Sequence, residues 1–380
     1  MRPLEGLLVL DFAQFLAGPW AATRLADLGA RVIKIERPIT GDIGRQLYIS
    51  NLALDGDSTL FHSINRNKLS YAADLKNPAD LAKVKQLVAR ADVLIQNFRP
   101  GVMERIGLDA KACAAINPRL VYGVVTGYGS RGPWVDKPGQ DLLAQSLSGL
   151  VHLNGNADQP PMPFGLSVAD LTASAHLVQG ILAALVRRGV TGKGGLVEVS
   201  LLESILDLQF EVTTTFLNDG GREPQRSRVN NGHAYLGAPY GVYTTADGFL
   251  ALAMGSILKL GELLELKSLA AFSDPKTWFT QRDEIKQLIA DHLKTKPTAH
   301  WLSKLEPADY WCAEVLSWTR LWKTDAFRTL DFEQNITRDD GPTMRTTRCP
   351  ITIDGEHFKS TRGAPRVGQH TKQIQLEFSL

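Results

Sequence analysis

The sequence lacks the residue patterns of disulfide-bonded and metal-binding proteins. Its three cysteines, Cys113, Cys312 and Cys349, lie far apart, and neither CxxC nor a mixed Cys/His spacing occurs. None of the eight histidines stands in an HExxH arrangement. We therefore predict neither a disulfide framework nor a metal site, and a reducing cytoplasm is the expected location.

Long hydrophobic runs and a strong charge of one sign are missing too. Glu5 and Asp11 interrupt the apolar stretch near the N-terminus, and no small-residue cleavage site follows it. No run reaches the roughly 18 apolar residues of a membrane span. With 42 basic and 40 acidic side chains, the formal net charge is only +2. Neither a membrane nor a nucleic acid is therefore an expected partner.

The N-terminal half alternates between strand-like and helix-like patterns. The strand-like apolar runs are 7–12, 31–36, 69–75, 93–98, 120–126 and 196–200. The segments with apolar residues at helical spacing include 20–28, 78–91, 103–116 and 169–188. Such alternation predicts an α/β fold with a Rossmann-like open parallel sheet and right-handed crossovers.

After about residue 205 the pattern changes to that of a smaller mixed α+β domain. The turn at Asp247-Gly248 separates two strand-like runs, which predicts an antiparallel hairpin. We predict a large domain of residues 1–205 plus 330–380, a small domain of 225–325, and linkers at 206–224 and 326–329.

The first turn between strand and helix argues against a nicotinamide enzyme. Residues 13–19 lack G-x-G-x-x-G, and Pro19 removes an amide donor. Glu36 ends the second strand, where a ribose-binding acid would lie, but it stands alone. The glycine-rich stretch 127–132 does not match G-x-S-x-G, so a serine hydrolase is not predicted either.

Positive charge is concentrated between residues 31 and 105, which hold twelve Lys/Arg and eight Asp/Glu. Several cations follow predicted strands, where open α/β sheets bind ligands. These are Arg37, Lys76, Arg99 and, a little later, Arg105. The pattern fits either a phosphate-binding edge or an ordinary solvated rim.

Asp170 is the carboxylate with the most informative position, at the start of the long helical segment. Ser167-x-x-Asp170 has the spacing of a capping box, with the acid at the third helical position. A helix N-terminus also stabilises a carboxylate anion that serves as a nucleophile. The residues alone leave both roles open.

About ten short motifs in one order closely resemble the class III CoA-transferases, the formyl-CoA and carnitine CoA-transferase family. The densest matches lie in residues 3–205. They include Pro3-Leu4-Glu5-Gly6-Leu7, Ala17-Gly18-Pro19, Leu28-Gly29-Ala30, Asn97-Phe98-Arg99-Pro100-Gly101, Gly127-Tyr128-Gly129, Ala169-Asp170 and Thr191-Gly192-Lys193-Gly194.

The resemblance implies an interlocked homodimer that moves coenzyme A from an acyl-CoA to a free carboxylic acid. It places the family's catalytic aspartate on Asp170, which would react through an aspartyl anhydride and an aspartyl-CoA thioester. Coenzyme A is then a substrate, and no tightly bound cofactor is expected. The implied CoA-binding positions are Arg37, Leu75, Lys76, Asn97, Phe98, Arg99 and Arg105.

Three departures from the formyl-CoA transferase pattern concern the substrate. Leu16 replaces a glutamine, Gln140 replaces a tyrosine, and Gly255-Ser256 stands where a glycine run is usual. We therefore do not expect formyl or oxalate substrates, and we take Phe15, Leu16 and Gln140 as pocket candidates. The aromatic stretch at 310–313 favours a larger acyl or acid group.

Two functions other than CoA transfer are also compatible with the resemblance. An α-methylacyl-CoA racemase of the same fold would carry a histidine before Asp141, whereas Gln140 offers no base near neutral pH. A CoA-binding protein without turnover is the other alternative, because Leu16 and Gln140 both depart from the transferase pattern.

Overall fold

The strands and helices are those of a computed structural model that describes residues 2–380. The strands are β1 (Leu8–Asp11), β2 (Arg31–Glu36), β3 (Ala53–Leu54), β4 (Asp57–Ser58), β5 (Lys68–Ala72), β6 (Val93–Gln96), β7 (Val121–Thr126), β8 (Gly195–Ser200), β9 (Gly241–Thr244), β10 (Phe249–Leu252), β11 (Cys312–Glu314), β12 (Glu333–Thr337), β13 (Thr343–Thr347), β14 (Thr352–Ile353) and β15 (Glu356–His357). The helices are α1 (Ala17–Asp27), α2 (Thr59–Ile64), α3 (Pro78–Val88), α4 (Val102–Arg105), α5 (Ala110–Ile116), α6 (Asp141–Leu147), α7 (Val168–Thr191), α8 (Leu201–Leu208), α9 (Phe210–Asn218), α10 (Ile257–Leu263), α11 (Arg282–Leu293), α12 (Thr298–Leu305), α13 (Trp318–Leu321), α14 (Asp325–Thr329) and α15 (Thr371–Phe378).

A parallel sheet organises the larger unit. Within residues 2–380 it has six strands in the order β5-β2-β1-β6-β7-β8. The prediction of an open parallel sheet is confirmed, and each predicted strand forms with small shifts at its ends. The chain runs outward from β1 to β5 and then from β6 to β8 on the other side. The strand order therefore reverses between β1 and β6, which is where such sheets bind ligands.

The two faces of this sheet carry different partners. Leu10, Ile33 and Tyr71 point to a core shared with α3, α5 and α15. Helix α7 packs on β7 and β8 on the other face, and α1 packs on α7. A Cβ at Gly123 would lie 3.1 Å from Leu177, so the glycine lets the long helix approach the sheet closely.

One predicted helix is wrong in part. The apolar spacing over 103–116 predicts one helix, but the structure has two short helices, α4 and α5. Gly107 adopts φ 64° between them, and Asp109 caps α5 through the backbone N–H groups of Lys111 and Ala112. Left-handed backbone ends a helix, and sequence periodicity does not detect it.

The contacts divide the chain into two units. The larger comprises the chain up to Ala144, Ser167–Ile205 and Asp331–Leu380, and the second comprises Gln145–Leu166 and Leu206–Leu330. The second unit thus includes residues 145–166, which we placed in the large domain. It also includes 206–224, which we expected to be a linker but which contains α9. Its core lies beside the antiparallel sheet β11-β10-β9 and includes Tyr243, Leu250 and Trp301.

Helix α7 is long and apolar enough, by length and composition alone, to cross a membrane. Ala173, Leu177 and Ile181 on one of its faces are nevertheless fully buried, with Leu177 and Ile181 beside β7. The core helix of a water-soluble domain has the same properties, so this helix is weak support for a membrane span.

Buried charged side chains lie beside the loop that follows β1. Lys34 Nζ is 2.8 Å from Asp42 Oδ2 and 3.6 Å from Asp11 Oδ2, and it donates to the Ala13 carbonyl at 2.7 Å. Lys68 Nζ donates to Asp11 Oδ2 at 2.8 Å. Burial would lower the pKa of Lys34, but the surrounding carboxylates raise it above its usual value. Burial lowers the pKa of Lys68 to about 8, against the attraction of Asp11.

We predict that Lys34→Met destabilises the protein by about 3–5 kcal/mol, because it leaves buried Asp42 without its cation and Asp11 with Lys68 alone. Urea unfolding followed by circular dichroism measures the change. Lys294→Met is the control, since Lys294 and its partner Asp291 are both more than half exposed, and its effect should stay within about 1 kcal/mol. Equal small effects of the two variants would contradict the prediction.

Candidate functional site

The site lies where the strand order reverses. Asn97, directly after β6, accepts from the Gln14 backbone N–H at 2.8 Å and donates to the Gln14 carbonyl at 2.7 Å. These two bonds join the loop after β1 to the loop after β6. A cavity of about 510 Å³ opens beside them, within the larger unit. Its walls include Phe15, Leu16, Leu47, Ile49, Leu60, Asn97, Phe98, Arg99, Val135, Lys137, Gln140, Asp141, Ser167 and Asp170.

Asp170 lies on the wall of this cavity, in the first turn of α7. Burial raises the pKa of its carboxyl to about 7, and the nearby Asp141 carboxylate acts in the same direction. A hydrogen bond from the Ala17 backbone N–H, at the start of α1, opposes both effects. The carboxyl is therefore close to half ionised at neutral pH.

The capping box expected at this helix is replaced by a longer-range cap. Within residues 2–380, Ser167 makes no side-chain cap hydrogen bond. Asp141 Oδ1 instead accepts from the backbone N–H of Ala169 at 2.7 Å and from that of Asp170 at 3.3 Å. The carboxylate that caps α7 therefore comes from another segment.

The candidate pocket residues meet in this cavity. Phe15 is half exposed and adopts φ 64°, and Leu16 follows it immediately before α1. Gln140 is exposed, and its Oε1 accepts from the Leu142 N–H at 3.1 Å, so the amide caps the start of α6. Phe15, Leu16 and Gln140 all line the same cavity as Asp170.

The CoA-binding candidates divide into two groups. Asn97, Phe98 and Arg99 line the cavity, and Phe98 and Arg99 also border a smaller one of about 220 Å³. The remaining four do not line the larger cavity in the described part of the chain. They are exposed Arg37 after β2, half-buried Leu75 and exposed Lys76 after β5, and exposed Arg105 at the end of α4. Parallel strands end at one sheet edge, so Arg37, Leu75 and Lys76 share that edge with Asn97.

Sequence reasoning missed the loop that runs from β7 to α6. The backbones of Gly127 and Gly139 touch, since a Cβ on either would lie 2.6 Å from the Cα of the other. The crossing closes the loop at its base, and Val135 and Lys137 then line the cavity. The repeated glycines of 127–139 are the sequence signal of this close backbone approach.

The aromatic stretch 310–313, from which we predicted a larger acyl or acid group, does not line the cavity that contains Asp170. Tyr310 is buried in the core of the second unit, and its hydroxyl donates to the Ser256 carbonyl at 3.3 Å. Trp311 and Cys312 line a separate cavity of about 570 Å³ within that unit. Within residues 2–380, no three His, Cys, Asp or Glu side chains form a cluster that could hold a metal ion.

The raised pKa of Asp170 predicts a pH-dependent stability cost. An unfolded aspartate ionises near pH 3.8, whereas folded Asp170 ionises near 7. Between these values the folded state binds the extra proton, so stability falls as pH rises. We expect Asp170→Asn to raise the unfolding temperature by roughly 5 °C at pH 8 and to leave it nearly unchanged at pH 4. Differential scanning calorimetry measures both.

Asp136→Asn is the control for this stability measurement, because Asp136 is an exposed carboxylate on the neighbouring loop. Its unfolding temperature should follow that of the unmodified protein at both pH values. A stabilisation by Asp170→Asn of the same size at pH 4 and pH 8 would show that ionisation is not the cause.

Comparison with known proteins identifies the family. Residues 4–371 match the model of CoA-transferase family III. The succinate–glutarate CoA-transferase of Agrobacterium fabrum is 31% identical, with 99% of this chain and 95% of the relative covered. The acetyl-CoA:oxalate CoA-transferase of Acetobacter aceti is 32% identical, with 99% and 96% covered.

A solved structure shares the fold over the whole chain. A CAIB/BAIF family protein from Brucella suis superposes with a TM-score of 0.85 at 28% identity, covering 99% of each chain. The matched segment includes the loop after β1, Asn97 and Asp170. The chain therefore belongs to CoA-transferase family III and is a CoA-transferase.

Proposed function

We propose that this enzyme moves coenzyme A from an acyl-CoA to a free carboxylic acid through covalent intermediates on Asp170. The observation that carries the proposal is the position of the Asp170 carboxyl. It lies on a cavity wall, and the start of its helix is capped by Asp141. A carboxylate in this position is available to attack a bound thioester.

The reaction has four steps, and the electrons balance in each. The Asp170 carboxylate attacks the thioester carbonyl and expels CoA thiolate, which leaves an acyl–aspartyl anhydride. The thiolate attacks the aspartyl carbonyl, which forms an aspartyl-CoA thioester and releases the donor acid. The acceptor carboxylate attacks that thioester and expels the thiolate again. The thiolate then attacks the acceptor's carbonyl, which forms the new acyl-CoA and restores Asp170.

The surroundings of Asp170 suit these steps. An anhydride hydrolyses if water reaches it, and the cavity walls beside Asp170 include apolar Leu16, Leu60 and Val135. The carboxylate must be ionised to attack, and a pKa of about 7 leaves a large ionised fraction with a stronger nucleophile than an ordinary aspartate.

Coenzyme A binding is assigned to the basic sheet edge. Arg37, Lys76, Arg99 and Arg105 carry the positive charges that its phosphates require, and none of the four side chains is buried. Phe98, half-buried between the two cavities, is the proposed neighbour of the adenine. The acyl group packs against the apolar wall formed by Phe15 and Leu16.

Substrate choice is narrowed by the relatives' names. These specify succinate and glutarate for one relative, and acetyl-CoA and oxalate for another. Succinate and glutarate are therefore the first acceptors in a screen, and oxalate, which we do not expect to be a substrate, is the comparison. Leu16 offers no hydrogen bond to a small polar acyl group, and this favours acyl groups larger than formyl.

A covalent trap tests the chemistry. We expect an acyl-CoA plus hydroxylamine to convert Asp170 to a hydroxamate, because hydroxylamine attacks the anhydride or thioester carbonyl. Peptide mass spectrometry locates the modification, and Asp170→Asn should abolish both the modification and CoA transfer. Asp136→Asn is the control and should be trapped at Asp170 like the unmodified enzyme. An unmodified Asp170 peptide with several acyl-CoA donors would overturn the covalent mechanism.

We also propose the interlocked homodimer that the family resemblance implies. Large apolar side chains on both units support it. Phe210 and Leu217 on α9 are 62% and 70% exposed, and Val186 and Val190 on α7 are 73% and 87% exposed. A second copy of the chain would remove such side chains from water.

We expect light scattering to give twice the mass of one chain at micromolar concentration. Because interlocked chains separate only by unfolding, tagged and untagged dimers should form no mixed dimers in native buffer, but should form them after denaturation and refolding. A single-chain mass would contradict the dimer, and exchange in native buffer would contradict the interlocking.

A further inference from the structure

Asp141 is a buried carboxylate whose contacts connect it to the nucleophile. It begins α6 and is 6% exposed. Its Oδ1 accepts from two consecutive N–H groups in the first turn of α7, those of Ala169 and Asp170. It also lines the cavity that contains the Asp170 carboxyl. A single side chain therefore contacts the backbone of Asp170 and lies beside its carboxyl.

The cap determines what the Asp170 side chain is free to do. The first N–H groups of a helix have no partner within the helix and attract a nearby carboxylate. Asp170 occupies the third helical position, from which its own side chain would serve in a capping box. Asp141 accepts from the N–H groups that Ser167 would take in a capping box, so the reciprocal pair of Ser167 and Asp170 does not form. The Asp170 carboxyl lies on the cavity wall and accepts from the Ala17 N–H.

The charge of Asp141 acts in addition to its hydrogen bonds. The negative charge of Asp141 disfavours ionisation of Asp170, so it holds the Asp170 pKa above the value that burial alone would give. The other charged side chains on the cavity wall are Arg99, from the loop after β6, and Lys137, from the loop before α6. Both are exposed, so solvent weakens their opposing effect.

We infer that Asp141 is the positioning residue of the reaction: it caps α7 in place of Ser167, and it brings a second carboxylate to the cavity wall that carries the Asp170 carboxyl. The inference rests on the proposed role of Asp170 as nucleophile. It assigns to Asp141 two separable functions, the hydrogen-bond acceptor and the charge.

Two substitutions separate these functions. Asp141→Asn keeps an acceptor for the two N–H groups and removes the charge. Without the charge of residue 141, Asp170 should ionise more easily, so the acidic limb of the kcat/KM pH profile of this variant should move down by about one pH unit. The plateau value of kcat/KM should also fall, because a less basic carboxylate is a weaker nucleophile. Asp141→Ala removes both functions, and we expect kcat to fall at least roughly tenfold with little change in KM for acyl-CoA.

The matched control is Asp247, which caps a helix from another segment in the same way. Asp247 Oδ1 accepts from the Thr298 N–H at 2.8 Å, at the start of α12. Asp247→Asn and Asp247→Ala should change thermal stability without moving the acidic limb. If Asp141→Asn leaves both the limb and the plateau unchanged, the inference is wrong. The inference is also wrong if the activity that the Asp141 variants lose is fully explained by a smaller fraction of folded protein.

Hydroxylamine trapping distinguishes this outcome from failure of the proposed function. If Asp170 of the unmodified enzyme is trapped but Asp141→Asn is trapped with the same pH dependence, only the inference about Asp141 fails. If Asp170 is not trapped at all, the nucleophile itself is wrong. A lowered pH midpoint for trapping in Asp141→Asn supports both.

Discussion

The contact between Lys34 and its two carboxylates, Asp11 and Asp42, determines the shape of the site. Lys34 also donates to the Ala13 carbonyl, so the same ammonium group holds the backbone of the loop after β1. That loop carries the Ala17 N–H to Asp170 and places Phe15 and Leu16 on the cavity wall. Buried charges of this kind cost desolvation, which partners in good geometry offset. Here the buried Lys34 ammonium group holds the loop after β1 in place.

A second constraint acts from the side of α7. Asp141 caps this helix, and Asn97 joins the loop after β6 to the loop after β1. The Asp170 carboxyl is therefore surrounded by backbone that other side chains hold in place, and it lies on the cavity wall. Its raised pKa is the expected cost of that arrangement, since burial and a like charge both disfavour ionisation.

Much of the fold followed from periodicity. The runs at 31–36 and 196–200 became β2 and β8 with little change, because both are short, contain β-branched residues and follow a turn with glycine. The break between α4 and α5 was missed because it depends on the backbone angle of Gly107. Residues 206–224 were taken as a linker, although α9 lies there, because its exposed apolar residues resemble no single buried face.

The sequence by itself determined the chemistry available: a carboxylate at a helix start, cations after strands and no metal-ligand spacing. Family motifs placed Asp170, Asn97 and Arg99 before any geometry was known. Only the tertiary structure decided that Asp141, rather than Ser167, caps α7, and that Lys137 joins the cavity wall. A local capping motif is visible in four residues. A cap supplied 28 residues away depends on how the chain folds back, and spacing alone does not encode that.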